Sequence, residues 1–230
     1  MGWKEIWNNQ NRVEKIILEC LIKANGFEST GKFEYKNWLE YTNILYKQIG
    51  IKNLDKIFEF GCGAGAFLYP LYLQKYDVNG IDYSETLIKL AKAFINSDNF
   101  SVRDCYYFNS EKLFDVVFCH SIFQYFPNLE FAEIVFKNMY NISSHKLAIL
   151  DVCDNDKYNI YHEGRMQKFI ENGGNQKEYL EKYSSLKHKF YDKEWFMNLG
   201  KKYSLETSIK DQNYSHHENA KYRFNVIYSK

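Results

Sequence analysis

Three glycines at alternate positions follow an acid in Glu59-Phe60-Gly61-Cys62-Gly63-Ala64-Gly65-Ala66, between an apolar run and a helix-compatible stretch. Glycines at such a turn let the chain bend tightly and let a ligand approach the backbone. The amides that open the following helix then point at that ligand. Asp82 ends the next apolar run, where its carboxylate can accept both ribose hydroxyls of a nucleoside. The chemistry on offer is the binding of a nucleoside-containing cofactor. Gly61, Gly63 and Ala66 also satisfy the dinucleotide-binding fingerprint. Glu59 opposes that reading, because a carboxylate beside the loop repels a pyrophosphate and welcomes a cationic amino acid. The third glycine, Gly65, and the long helical stretch ahead of the first strand argue the same way. The plain alternative is a structural strand–helix turn.

The elements that must position these groups alternate. Val13, Ile16, Ile17, Cys20 and Leu21 predict one face of a leading helix. Asn25-Gly26 breaks it, and a second helix is expected from Tyr35 to Gln48. Strands are expected at 56–60, 78–81, 100–102, 114–119 and 147–152. Helices are expected between them at 64–74, 85–95 (N-capped by Ser84) and 129–140. Strands alternating with helices predict βαβ units and a parallel sheet. Residues 153–191 break the rhythm. That stretch is polar, helical by pattern, turned at Gly173-Gly174, and too long for a simple connection. A helix at 193–200, a strand at 205–209 and a final strand at 222–228 complete the chain. The expected layout is one domain. A helical extension (1–50) precedes a cofactor-binding core (51–152), a helical cap (153–191) and a C-terminal helix with two strands (192–230).

Composition bounds the function. A chain of 230 residues suits one domain with a sizeable core. The net charge of +1 carries no electrostatic footprint for nucleic acid or an anionic membrane. The five cysteines, Cys20, Cys62, Cys105, Cys119 and Cys153, form no C-x-x-C pair and imply neither a zinc site nor a disulfide framework. Free thiols fit a reducing cytoplasm. The N-terminus lacks an apolar signal core, and Ile6 breaks the myristoylation pattern. No apolar run approaches the ~20 residues that span a bilayer. A cytoplasmic monomer or homodimer with a small-molecule partner is expected, without nucleic acid, membrane or metal.

IFEFGCGAGAFLYPL (57–71) resembles the first motif of class I S-adenosylmethionine-dependent methyltransferases. NGIDYS (79–84) resembles their acidic second motif. VRDC (102–105) resembles the adenine-contacting turn, and FDVVFCHSIFQYF (114–126) the strand-four motif. The tail, HKFYDKEWF (188–196) through KYRFNVIYSK (221–230), looks like a subgroup associated with bacterial surface-polysaccharide gene clusters. The resemblance implies an α/β fold: a seven-stranded, doubly wound, mostly parallel sheet whose last strand runs antiparallel. It implies S-adenosylmethionine as cofactor and S-adenosylhomocysteine as product. It places the methionine moiety along the backbone of Gly61, Gly63 and Gly65, with Glu59 organising the loop. Asp82 would bind ribose and Tyr83 flank adenine. Asp104 and the Cys105 backbone would read the adenine edge, and the carbonyl region of Cys119 would face the sulfonium or amino group.

Methyl transfer from a sulfonium is an in-line displacement, so the protein mainly aligns the acceptor and excludes water. An alcohol must also lose a proton, which a general base assists. His120, at the carboxyl edge of strand four, is the candidate base. Its plain alternative is a histidine packed against the cofactor or bonded to a backbone carbonyl. Gln124 either orients the acceptor or sits exposed in a loop. In the cap, Tyr161, His162 and Arg165 could close over an acceptor, against a solvated helix face. Tyr191 reads as a lid residue or a packing aromatic. Arg165 and Arg223 could hold an anionic acceptor such as a phosphorylated sugar; the alternative for Arg223 is a structural pair with an acid. Trp3 and Trp7 could line a lid or simply pack. His216-His217 reads as a surface loop rather than a metal site. The expected reaction is O-methylation of a sugar or a phosphorylated precursor of a surface glycan. An N-methyltransferase, a non-catalytic relative and an NAD-dependent oxidoreductase are the rivals. The N/D-P-P-Y/F signature of amide and nucleobase methylation is absent, with Cys119-His120-Ser121-Ile122 in its place.

Overall fold

The computed structural model describes residues 3–27, 34–95, 98–183 and 188–230, with the side chains of 3–12 and 183 left aside. Any lid role for Trp3 and Trp7 therefore falls outside the described residues.

The strands are nearly continuous apolar runs, as a sheet covered on both faces requires. They are β1 (Lys56–Phe60), β2 (Asp77–Asp82), β3 (Phe100–Val102), β4 (Phe114–His120), β5 (Ser143–Cys153), β6 (Glu206–Asp211) and β7 (Arg223–Ser229). They form one sheet in the order β3-β2-β1-β4-β5-β7-β6. The pairs among β1 to β5 are parallel, while β7 runs antiparallel to both β5 and β6. The strand order reverses between β1 and β4, and ligands of open α/β sheets bind at such a switch point.

Alternate strand residues feed two cores. Ile57, Val116, Phe118, Ala148 and Leu150 face α1 (Trp3–Ala24), α2 (Tyr35–Ile49), α3 (Tyr69–Leu73) and α4 (Glu85–Ile95). Phe60, Val117, Leu147, Ile149 and Val226 face α5 (Leu129–Ile142) and α8 (Lys193–Lys202). Between β5 and α8, the 153–191 stretch folds as α6 (Tyr158–Glu171) and α7 (Gln176–Tyr183), separated at Gly173-Gly174. Tyr161 seats α6 by packing edge-on against Tyr222.

Two local expectations change. Of the expected face of α1, Leu21 is buried and Ile17 packs on the core, whereas Val13, Ile16 and Cys20 are exposed and Leu18 and Ile22 are buried in addition. Both sets obey a helical period, and only the packing partner selects between them. The helix expected from Ala64 starts at Tyr69, because the chain from Gly61 to Leu68 is spent in the glycine turn. Gly61, Gly63 and Gly65 all have positive φ there.

Candidate functional site

A cleft of about 310 Å³ opens at the carboxyl ends of the central strands. Gly61, Gly63, Asp82 and Tyr83 line one side. His120, Ser121, Gln124, Asp151, His188, His217 and Arg223 line the other, and Asn25 and Phe27 from the end of α1 border it.

The first side is made largely of backbone. Gly63 has φ 55°, and a Cβ there would meet the side chain of Asn25. Asn25 Oδ1 accepts the Ala64 N–H at 2.6 Å, so the end of α1 caps the loop. Gly65 does not line the cleft; at φ 84° it lets α4 pack close, where a Cβ would strike Ile95. Asp82 is 7% exposed. Its Oδ2 accepts from Gly63 N at 2.9 Å and its Oδ1 from Ser84 N at 2.8 Å. A carboxylate has about four acceptor sites. One therefore remains on each oxygen, which suits a vicinal diol. Glu59 is buried beneath the loop and does not line the cleft. Burial first, and then the Asp82 charge, push its carboxyl well above the usual carboxylate range. Its Oε2 is buried without a hydrogen-bond partner. Tyr83 is 82% exposed at the rim.

The second side is made of side chains brought from four strands and loops. A register shift lies between Ile149 and Val152 in β5, and Asp151 sits within it at φ 61°. Such irregularities re-aim a side chain and mark functional rims. Ser121, just past β4, also has positive φ, and its Oγ donates to Asp151 Oδ2 at 2.8 Å. Gln124 Nε2 donates to Ser121 Oγ at 2.8 Å. His217 Nε2 lies 3.0 Å from Asp151 Oδ1, with both side chains buried. Arg223 Nη1 donates to the Asp151 carbonyl and to Cys153 Sγ. Burial opposes the Asp151 charge, but Arg223 and then His217 override it and hold the carboxyl below the usual range. Burial likewise opposes the charge of Arg223, and Asp151 overrides it, so its pKa rises. Gln124 Oε1 and Arg223 Nε are buried without a hydrogen-bond partner. Natural proteins leave few buried polar atoms unsatisfied, so each such atom calls for an explanation.

His120 is buried, stacked on Phe67, with Nε2 hydrogen-bonded to Tyr41 OH at 2.7 Å. Burial pushes its pKa down to about 4. His188 is half-buried and also lowered to about 4, by burial and by the charges of Arg223 and Arg165.

Several residues expected at the site stand apart. Asp104 is exposed in a separate cleft with Tyr106 and Phe131, and its Oδ1 accepts from Tyr106 N. The Cys105 carbonyl accepts from Asn138 Nδ2. The Cys119 side chain is buried in the core. Tyr191 is also buried and donates to the Phe123 carbonyl. It packs the core rather than forming a lid. Tyr161 is buried, hydrogen-bonded to His188 and Arg165, and His162 packs on Tyr158. Arg165 lines a neighbouring cleft of about 410 Å³. Gln124 is buried, not exposed in a loop. The paired histidines divide: His216 is exposed, whereas His217 is buried against Asp151 and is no surface residue. The sequence reading passed over Asn25, Tyr41, Ser121, Asp151 and His188. The one available signal was Asp151, a lone acid inside the apolar run 147–152.

Residues 51–206 match a family described as a methyltransferase domain. Among curated proteins, the chain is 23% identical over 146 residues to the ubiquinone biosynthesis O-methyltransferase of Rickettsia prowazekii, covering 59% of this chain and 57% of that one. It is 26% identical over 106 residues to the corresponding protein of Rickettsia conorii, covering 44% and 36%. The chain thus spans about half or less of the length of these relatives. Among solved structures, it is similar to the magnesium protoporphyrin IX methyltransferase of Synechocystis with bound SAM. That match has a TM-score of 0.58 and 14% identity, over 94% of this chain and 97% of that one. A methyltransferase from Clostridium acetobutylicum gives a TM-score of 0.57 at 14% identity, over 86% and 92%. At these identities the structural matches carry the fold alone. No helix among the described residues is long and apolar enough to cross a membrane.

Proposed function

Because this chain belongs to the methyltransferase-domain family and is an S-adenosylmethionine-dependent enzyme, we propose that it methylates an oxygen of a small polar metabolite. The observation that carries this reading is the single cleft in which Gly61, Gly63 and Asp82 face Gln124, Asp151, His217 and Arg223. Bound there, S-adenosylmethionine supplies an activated methyl group. Asp82 takes the ribose hydroxyls on its two remaining acceptor sites, and Tyr83 flanks the adenine at the rim. The Gly61–Gly63 backbone passes the methionine end, while Gly65 holds α4 against the loop. Glu59 supports that loop from below.

The acceptor lies against Gln124 and Arg223. Gln124 Oε1 accepts a hydrogen bond from an acceptor hydroxyl, and Arg223 Nε donates to an anionic oxygen, so both buried atoms gain partners. A phosphorylated or carboxylated sugar fits this donor–acceptor pair. The C-terminal resemblance to the surface-polysaccharide subgroup supports the same class. The curated relatives, themselves named O-methyltransferases, support oxygen as the acceptor atom. The protein's task is alignment and water exclusion, since the methyl group arrives activated.

Incubation with methyl-deuterated S-adenosylmethionine and a panel of sugars, sugar phosphates, nucleotide sugars and amines tests this. Mass spectrometry should find the label on an oxygen of an anionic sugar. Label on nitrogen would overturn the acceptor assignment. A protein that binds S-adenosylhomocysteine but labels nothing in a widened panel would favour a non-catalytic relative.

A further inference from the structure

We propose that His217, oriented by Asp151, is the base that accepts the proton of the acceptor hydroxyl, and that His120 is not. The inference rests on the oxygen-methylation reading and deepens it.

His217 occupies the loop between β6 and β7. Its own N–H donates to the Tyr214 carbonyl and its carbonyl accepts from Ala220 N, which pins the loop on both sides. It lines the cleft that holds the glycine loop and Asp82, and it also lines the neighbouring cleft of about 410 Å³. Only His217 and Asn219 are common to the two linings. The second cleft carries Arg165 and Lys221, together with Lys168, which is ion-paired to Glu218 in the same lining. An anionic acceptor seated there would present its hydroxyl at the junction, beside His217.

Asp151 fixes the imidazole. Its carboxylate is itself fixed, by the Ser121 hydroxyl on Oδ2, and its backbone N–H donates to Asn225 Oδ1. A carboxylate accepting from Nε2–H sets the tautomer and leaves Nδ1 as the basic nitrogen. Among the described residues no carboxylate hydrogen-bonds His120: its Nε2 is engaged by Tyr41, and burial makes it a weak base. Among the described residues, Asp151 from β5, His120 from β4, Tyr41 from α2 and Tyr214 from its own loop lie about His217, and Arg223 from β7 acts on the same Asp151 and lines the same cleft.

In the transfer, the acceptor oxygen forms its bond to the methyl carbon as the carbon–sulfur bond breaks. The bonding pair returns to sulfur, and the hydroxyl proton moves to His217 Nδ1, giving an imidazolium beside the Asp151 carboxylate. Asp151 is a positioning residue: it stays ionised and does not touch the acceptor.

The first readout needs no acceptor. Histidine-15N-labelled protein, with and without S-adenosylhomocysteine, is titrated by NMR, with His217→Gln supplying the assignment. The expected result is that His217, in its neutral form, carries its proton on Nε2. A His217 that stays cationic from pH 6 to 9, or that carries its proton on Nδ1, overturns the proposal. The second readout uses the alcohol that the deuterium experiment labels. His217→Gln should lower kcat by at least about 100-fold with its affinity for S-adenosylhomocysteine unchanged. His120→Gln should lose far less. Asp151→Asn should shift the pH profile of kcat; if it fails to fold, the wild-type tautomer and His217→Gln still decide. Retained kcat in His217→Gln, or a matching loss of S-adenosylhomocysteine affinity, overturns the assignment. A wild type that binds no S-adenosylhomocysteine overturns the cofactor reading beneath it, and calorimetry separates that failure from the others.

Discussion

The two sides of the cleft are built differently. The side holding Gly61, Gly63 and Asp82 comes from one βαβ unit and offers mainly backbone, with one carboxylate whose oxygens take Gly63 N–H and Ser84 N–H. The side holding Ser121, Asp151, His217 and Arg223 is assembled from β4, β5, the β6–β7 loop and β7, and offers side chains almost exclusively. Backbone groups fix a shape that many sequences can supply, which suits a cofactor shared across a family. Side chains set donors, acceptors and charge one by one, which suits an acceptor particular to one enzyme.

The contrast breaks most visibly at Asp82. Asp82→Ala removes both acceptor sites proposed for the ribose and the partner of the Gly63 amide. Hydrogen bonds to charged groups contribute about 1.5–3 kcal/mol each. The affinity for S-adenosylhomocysteine should therefore fall by at least about 100-fold, as measured by calorimetry. The NMR signature of His217 in the free protein should stay as in the wild type. A variant that binds S-adenosylhomocysteine unchanged would place the nucleoside elsewhere.

Arg223→Met tests the opposite side. It strips the main counter-charge from buried Asp151 and leaves the glycine loop untouched. Arg223 reaches the Asp151 backbone carbonyl rather than its carboxylate, and losing a hydrogen bond made by a charged group costs roughly 1.5–3 kcal/mol. At about 2–4 °C per kcal/mol for a chain of this size, the Tm should drop by roughly 3–12 °C. Below that temperature S-adenosylhomocysteine should still bind. An unchanged Tm would mean that Arg223 does not hold the Asp151 charge.

The same division explains what could be read from the sequence. The glycine loop and Asp82 are contiguous or one strand apart, so spacing alone exposes them, and the strand rhythm gives the sheet. The side-chain half could not be read this way. Asp151 and His217 are 66 residues apart, Asp151 and Arg223 72. Only the register shift in β5 and the antiparallel return of β7 bring them together. His120 attracted attention because it follows a motif, yet β4 ends by pointing it into Phe67 and Tyr41. The buried face of α1 is only partly legible for a related reason: Leu21 and Ile17 face the core, but a helical period fits overlapping faces, and the neighbour that chooses between them is distant in sequence.

Acid titration sharpens the comparison between the two histidines. The folded-state pKa of His120 is lowered to about 4, below the ordinary 6.5, with burial the main cause. The unfolded chain therefore takes up a proton from about pH 6.5 downward while the folded chain does not. Stability falls across the window from pH 6.5 to 4 and no further below it, by about 3 kcal/mol at most. Asp151 acts in a different window: its folded pKa is depressed, so its contribution holds above about pH 4 and is lost below. Chemical denaturation of wild type against His120→Gln, followed from pH 7 to 4, should show a flatter curve in the variant. Parallel curves would mean that His120 titrates normally.

The smallest expected effect lies at Tyr41, where the two sides meet the helical extension. Its hydroxyl shares a hydrogen bond with His120 Nε2, and its ring lies edge-on to His217 and Tyr214. Tyr41→Phe keeps the ring packing and deletes the hydroxyl that bonds His120 Nε2; each buried hydrogen bond lost is worth about 1 kcal/mol, or about 2–4 °C in Tm. If His217 is the base, turnover should change by less than tenfold, about the 1.4 kcal/mol that such a factor represents, because His120 only packs. If His120 were the base, removing the group that engages its Nε2 would change kcat and its pH dependence together. A Tyr41→Phe enzyme with a displaced pH profile would therefore move the base back to β4, even with the Tm shift as expected.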